Sequence, residues 1–518
     1  MKIKKLKLLN FKKFPFLEID FNDNHNVIIG DNESGKSSIL LAIDLAISGS
    51  RNKIETLGLD HLFNIQAIET ALDTSTYHTL PKLEIELFFD ELEDADFYGR
   101  VNSTGRDNYG IKMVCEPRDE LSKEISEILS SGYRNFPFEY YGIYFYTFSG
   151  HPYLGFKKFF KHIFLDNTTI NTEYATNSYI KTLYNSSITF PEKSKHFNEY
   201  RKFKSTFKDS VLGTLNTKTG DYQFAIKNNT KANLETDLTI TEDNIEIQNR
   251  GKGRQCFIKT DFALSKTKNV LDFVLLEEPE NHLSHLNMKR LIRIIGDSDQ
   301  KQIFIATHNN LISSRLDLRN TILLNNNSTT SLMLKNLEKS TADFFMKAPD
   351  NNLLEFILSK RVILVEGDAE YILLEAMFEK CKGGKPLDFG IHIISVGGTS
   401  FKRYLEIANL LTIKTAVIRD NDGDFQKKCI DSFANHISVN TQVFFERDNT
   451  QSTFEISLYK SNPKICDELF GTGRVSRTVQ QFMLDEKTEC AFELLEKKAA
   501  DLTVPDYIEQ AITWITKD

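Results

Sequence analysis

Apolar and polar residues alternate over 3–9 and 16–21, on either side of Asn10-Phe11-Lys12-Lys13, and this pattern predicts a β-hairpin. The apolar run HNVIIG (25–30) predicts a short buried strand. SSILLAIDLAIS (37–48), directly behind it, has helical spacing, and KLEIELFFDEL (82–92) alternates again. Between about 118 and 214 the pattern loosens into a segment rich in Phe, Tyr, Lys, Asn and Ser. It reads as an insertion, with helices expected near 155–163 and 192–210. Strand-like alternation returns at 222–228 and 238–248. FVLLEE (273–278) predicts a buried strand, 285–295 a helix, and QIFIATH (302–308) a further strand. A boundary is expected at 340–350, where Pro349 interrupts the run. Beyond it, strands at 362–367, 392–398 and 415–422 alternate with helices at 369–380 and 400–411, which implies a parallel sheet.

The 518 residues suffice for several domain-sized cores. Lys+Arg 64 against Asp+Glu 72 gives a net charge of −8, which excludes a wholly basic nucleic-acid coat. It leaves room for a nucleic-acid enzyme, because local basic grooves and bound metal ions offset a mildly acidic total. The cysteines at 115, 256, 381, 429, 466 and 490 stand singly, against both a zinc ribbon and a disulfide scaffold. MKIKKLKLLNFKKF lacks the apolar stretch of a signal peptide, and no window approaches ~18 uninterrupted apolar residues. The expected location is the cytoplasm.

Two motifs carry chemistry. Gly30-Asp31-Asn32-Glu33-Ser34-Gly35-Lys36-Ser37 matches G-x-x-x-x-G-K-[ST] between an apolar strand and a helix, as a phosphate-binding P-loop requires. Gly30, Asn32, Gly35, Lys36, Ser37 and Ser38 are the expected nucleotide contacts, with Lys36 reaching the β/γ oxygens and Ser37 available to Mg²⁺. Glu277 and Glu278 end the apolar strand 273–278. The first stands where Mg²⁺ is directed and the second where the attacking water is polarised. His308 ends the next strand, in position for a γ-phosphate contact.

The second motif is acidic. Glu366 and Glu370 follow strand 362–367, and Asp420 and Asp422 end strand 415–422. The C-terminal ends of parallel strands are where α/β sheets place ligands, and gathered carboxylates there suit Mg²⁺ or Mn²⁺. Without metal, their mutual repulsion raises their pKa values and costs stability.

The first motif and its partners resemble the ATPase head of ABC-type, RecF-like and SMC-like proteins. In that family a glycine-rich signature from a second protomer closes over the nucleotide. Asn249-Arg250-Gly251-Lys252-Gly253-Arg254-Gln255 is the counterpart, with Gly251 and Gly253 facing the nucleotide and Lys252 standing where serine is common. The second motif, with Gly397-Gly398 after the intervening strand, resembles a Toprim domain. An ABC-type ATPase followed by a Toprim domain is similar to the OLD family of nucleases, whose acidic strand end takes the form Glu277-Glu278-Pro279-Glu280 here.

The resemblance implies an α/β chain. Residues 1–117 and 215–340 form an ABC-type P-loop ATPase domain, with a mainly helical insertion and dimerisation element at 118–214. A Rossmann-like Toprim nuclease domain with a parallel sheet occupies 341–518. It implies ATP with one Mg²⁺, and a two-metal site held by Glu366, Glu370, Asp420, Asp422 and Glu455, with Lys487 near the scissile phosphate. It further implies a DNA substrate, a homodimer or larger assembly, and a role in antiphage defence. Family members act alone or with a helicase, or with a retron reverse transcriptase and its DNA, as in retron or Gabija-like systems. Two other classes remain open: a RecF-type ATP-dependent DNA-binding clamp with a silent Toprim domain, and a sensor or scaffold.

Overall fold

The computed structural model describes residues 1–517 apart from 75, 132–133, 154–158, 168–172, 219–222, 228–232, 267–270, 299–300, 325–330, 349–351, 399 and 472–476. The chain forms two compact units, Met1–His308 with Asn320–Ser331, and Asn309–Arg319 with Leu332–Asp518. Pro349, in the expected boundary, lies outside the described residues.

The first unit holds two sheets with a helix between them. The hairpin Ile3–Phe11 and Phe14–Asp20 pairs Leu8 with Leu17, and Leu8 also faces Ile85 of Leu83–Phe89. This antiparallel sheet continues through Asn108–Pro117 to Tyr98–Gly99, and Tyr141–Thr147 also pairs with Asn108–Pro117. In the second sheet Thr321–Leu324, His25–Gly30, Gln302–Ala306, Phe273–Glu277 and His162–Asp166 lie side by side, all parallel. Helix Lys36–Ser48 packs on strands of both sheets. That placement explains its apolar circumference: Ile39, Leu40, Ile43, Leu45 and Ile47 are all buried, and no polar face remains.

Segment 118–214 is mainly helical, as expected, but also contributes two strands. Its helices are Ser122–Ser130, Glu173–Ser187 and Phe190–Ser210. Tyr141–Thr147 belongs to the antiparallel sheet, and His162–Asp166 is a strand where a helix was expected over 155–163, of which 155–158 lie outside the described residues. In HIFLD the three central residues are apolar in a row, so the sequence hides the period-two burial that the strand shows, while YGIYFYT is aromatic on both faces. Residues 223–227 form no strand, 222 and 228 lie outside the described residues, and 238–248 reduces to the small hairpin Thr241–Glu242 with Ile245–Glu246.

In the second unit the parallel sheet runs Ile391–Ser395, Arg361–Val365, Lys414–Ile418, Thr441–Phe444. Helices Asp368–Lys382, Lys487–Lys498 and Asp506–Thr516 contribute Leu373, Phe378, Leu494 and Ile512 to one core with Ile363 and Val365. The strand order reverses at Arg361–Val365, whose neighbours are the second strand on one side and the third on the other. Open α/β sheets place ligands at such a switch, beside the carboxyl ends of Arg361–Val365 and Lys414–Ile418, the strands that lead to Glu366 and Asp420. Among the described residues no helix is long and apolar enough to cross a membrane.

Candidate functional site

Each unit carries one site. In the first, Gly35 adopts φ 99° at the start of the helix. A side chain there would drive into the Phe14 ring, at 2.3 Å, so glycine is required twice over. Lys36 is buried, and its Nζ donates to the carbonyl oxygens of Gly30 (2.7 Å) and Asp31 (2.9 Å). Burial lowers its pKa, and the charges of Glu278, Asp31, Glu277 and Glu280 oppose that shift. The P-loop lysine and the acidic strand end therefore act on one another electrostatically. Ser37 hydrogen-bonds Glu277, whose pKa is raised by burial, while Ser38 is buried and Asn32 is exposed.

Glu278 sits in the left-handed region, at φ 43°. Such strain persists only where surrounding bonds over-determine it. Asn281 Nδ2 donates to its carboxylate at 2.8 Å, and His308 Nδ1 lies 3.3 Å from its other oxygen. Glu280 accepts from the Thr307 hydroxyl at 2.5 Å, tying the acidic loop to the strand that leads to His308.

Sequence reasoning missed Asn167. It follows the strand His162–Asp166, donates its N–H to the Glu277 carbonyl (3.2 Å), and buries an Oδ1 that has no partner among the described residues. An unspent buried acceptor beside Glu277 is a polar atom available to a bound ion or water. The signal was invisible because no local pattern shows which strand neighbours Phe273–Glu277.

Gly251 caps the helix Lys252–Asp261, and Lys252 is exposed at its start. Gly253 packs so closely that a side chain would meet the His282 carbonyl oxygen at 2.1 Å. Arg254 holds Glu242 through both Nε and Nη2.

In the second unit, Glu366, Glu370, Asp420 and Glu455 influence one another's charge. Asp420 is pushed up to about 8, first by burial and then by Glu370, Glu455 and Glu366. Glu370 is pushed up to about 7 by burial and the same neighbours, and burial also raises Glu366. Glu366 Oε2 is buried with no partner among the described residues. Glu455 is buried and held by Lys487 Nζ at 3.0 Å from its carboxylate, and Lys487 also feels Asp420 and Glu370. Asp422 lies at the exposed edge, paired with Arg419 (3.5 Å) and Lys428 (3.8 Å).

Among the described residues no three His, Cys, Asp or Glu side chains converge into a finished metal-ligand set. The donor chemistry nonetheless fits a divalent cation. Asp420 and Glu370 keep protons near neutral pH, and an oxygen-seeking cation would replace those protons. Two residues outside the sequence reading complete the site. Arg419 is nine-tenths buried against the Phe401 and Phe433 rings, and its charge opposes the rise that burial imposes on the pKa of Glu366. Asn421, between the two aspartates, is 1% exposed. A charged residue closing an apolar strand was the one available clue to Arg419.

Family models match three stretches: an AAA ATPase domain over residues 1–218, an AAA domain described as a putative AbiEii toxin of a type IV toxin–antitoxin system over 258–314, and an overcoming lysogenization defect protein-like TOPRIM domain over 357–422. The endonuclease GajA of Bacillus cereus (strain VD045) is 24% identical over 461 residues, covering 82% of this chain and 75% of that protein. The Old nuclease of Escherichia phage P2 is 27% identical over 176 residues, 32% of this chain and 30% of its own length. Among solved structures, the C-terminal region of the Xanthomonas campestris pv. campestris OLD protein is 22% identical, with a TM-score of 0.25, covering 31% of this chain and 94% of that one.

Proposed function

We propose that this chain, an OLD-family protein joining an ABC-type ATPase domain to a Toprim domain, is a divalent-metal-dependent DNA endonuclease gated by ATP. One observation carries the reading: Glu366, Glu370, Asp420 and Glu455 share a half-buried cluster at the sheet's switch point, with Lys487 beside it. Together with Asp422 they are the residues that would hold Mg²⁺ or Mn²⁺. When bound, a pair of such ions supplies an activated water and charge stabilisation for the leaving oxygen. The chain's own contribution is placement. Strand ends fix Glu366 and Asp420, the first helical turn after Gly367 fixes Glu370, and Lys487 offers an ammonium to the charge that grows on the phosphate.

At the other site, Lys36 binds the nucleotide phosphates, and Glu278, oriented by Asn281 and His308, accepts a proton from the attacking water. Phosphodiester hydrolysis is already downhill, so ATP serves as control rather than as a source of cleavage energy. A role in antiphage defence, alone or with a helicase or retron partner, follows from the family. Plasmid DNA incubated with the purified chain should be cut only with Mg²⁺ or Mn²⁺, and to an extent that changes with ATP. Plasmid bound in an ATP-dependent way but left intact under every condition would replace this reading with the clamp.

The working assembly is a dimer or larger. Helix Phe190–Ser210 leaves Phe190, Phe203 and Phe207 exposed, at 82%, 64% and 37%, an apolar cost that a second copy relieves. Phe203 and Phe207 share a face, one turn apart. Sedimentation of the wild type should show at least a dimer, and Phe203→Asp with Phe207→Asp should shift it toward monomer. A wild type sedimenting only as monomer, with and without ATP, would remove the dimer.

A further inference from the structure

The middle residue of Asp420-Asn421-Asp422 reads in sequence as a spacer between two ligands. Its side chain is instead buried and hydrogen-bonded through both its nitrogen and its oxygen. Asn421 Nδ2 faces three backbone carbonyls of one loop, Glu446 (2.8 Å), Asp448 (3.1 Å) and Gln451 (3.3 Å), while its Oδ1 accepts from Gly423 N–H (2.8 Å). Asp422 N–H donates to the Ser452 carbonyl at 3.1 Å, and Asp422 sits in the left-handed region at φ 47°. The acidic turn and the loop 446–452 are thus laced together through one buried amide.

The loop matters because of where it leads. Immediately after it, Thr453 caps the helix Phe454–Ser461, whose first turn carries Glu455. The loop is also braced from its outer side. The Asp448 carboxylate accepts from Thr450 N–H (2.9 Å) and Oγ1 (2.7 Å), from Gln451 Nε2 (3.1 Å), and from Lys460 Nζ (3.2 Å). One end of this bracing therefore fixes Asp420 and Asp422, and the other fixes Glu455. Carboxylates that repel one another can be kept within reach of one cation only if their backbones are held, since nothing in their side chains attracts them together.

We propose that Asn421 is a positioning residue that sets divalent-cation affinity, by clamping the Asp420–Asp422 turn to the loop 446–452 and so to Glu455. The inference rests on the metal-dependent reading above. Removing the amide leaves three partly buried carbonyls without their shared donor and frees the loop, so the ligand backbones spread while the sheet beneath them stays intact.

The test measures Mn²⁺ binding to the full-length chain without DNA, by calorimetry, beside ATP hydrolysis and Mg²⁺-dependent plasmid cleavage. Asn421→Ala should weaken Mn²⁺ binding by about 10–100-fold, the usual effect of losing a group that orients metal ligands. Cleavage should recover at high Mg²⁺, because the ligands remain, and ATP hydrolysis should not change. Asp448→Ala, at a half-exposed carboxylate, should weaken Mn²⁺ binding in the same direction. The double variant should be no weaker than Asn421→Ala alone, since both act through one loop. A folded Asn421→Ala chain that melts earlier but binds Mn²⁺ like the wild type would show a merely structural residue and overturn the proposal. Should Asn421→Ala not fold, wild-type affinity in Asp448→Ala overturns it equally. A wild type that binds no Mn²⁺ is a different failure, because it removes the metal reading itself.

Discussion

Asp420→Ala is expected to abolish DNA cleavage, by at least about two to three orders of magnitude, while ATP hydrolysis continues. The two activities separate because Asp420 lies in the second compact unit and the P-loop in the first. The same substitution should leave the metal-free protein at least as stable as the wild type. Burial and the charges of Glu370, Glu455 and Glu366 all disfavour an ionised Asp420, so its removal relieves repulsion rather than breaking a bond. Lost cleavage with an unchanged or raised melting temperature marks a residue kept for function at a cost in stability. Lys487→Ala should behave differently. Glu455 loses the ammonium held 3.0 Å from its carboxylate, so metal-free stability should fall together with cleavage. Plasmid nicking, phosphate release and thermal melting on the same preparations decide the matter. Wild-type cutting by Asp420→Ala would sink the nuclease reading.

Lys36→Ala and Glu278→Gln should fail at different steps of the ATP cycle. Lys36→Ala removes the P-loop cation on which Glu277, Glu278 and Glu280 act, and nucleotide affinity should fall by about a hundredfold. Glu278→Gln keeps the size of the side chain and an oxygen for Asn281 Nδ2 but cannot take a proton. It should bind ATP normally and hydrolyse it about 10²–10⁴-fold more slowly. If ATP gates cleavage, the two variants should then lie on opposite sides of the gate, one never loaded and one held loaded. Equal nucleotide affinity in Lys36→Ala and wild type would dismiss the P-loop assignment.

The sequence by itself determined the parts whose physics is local. The P-loop is legible because a glycine-rich turn, its lysine and the flanking strand and helix occupy one continuous stretch, 25–48. Glu366, Glu370, Asp420 and Asp422 are legible because strand ends in a parallel sheet project their side chains toward one edge. The hairpin Ile3–Asp20 and the alternation of strands and helices after 361 follow from periodicity of the same short range. The tertiary structure alone decided which strands are neighbours, and three residues took their meaning from that. Asn167 sits at the site only because His162–Asp166 pairs with Phe273–Glu277, more than a hundred residues away in sequence. Arg419 counts as a cation of the acidic cluster only once Phe401 and Phe433 bury it beside Glu366. Asn421 becomes a clamp only when the loop 446–452 lies under it. Hydrophobic period reports how a segment meets its own immediate surroundings, and a buried amide bonded across 25 to 30 residues leaves no trace in that period.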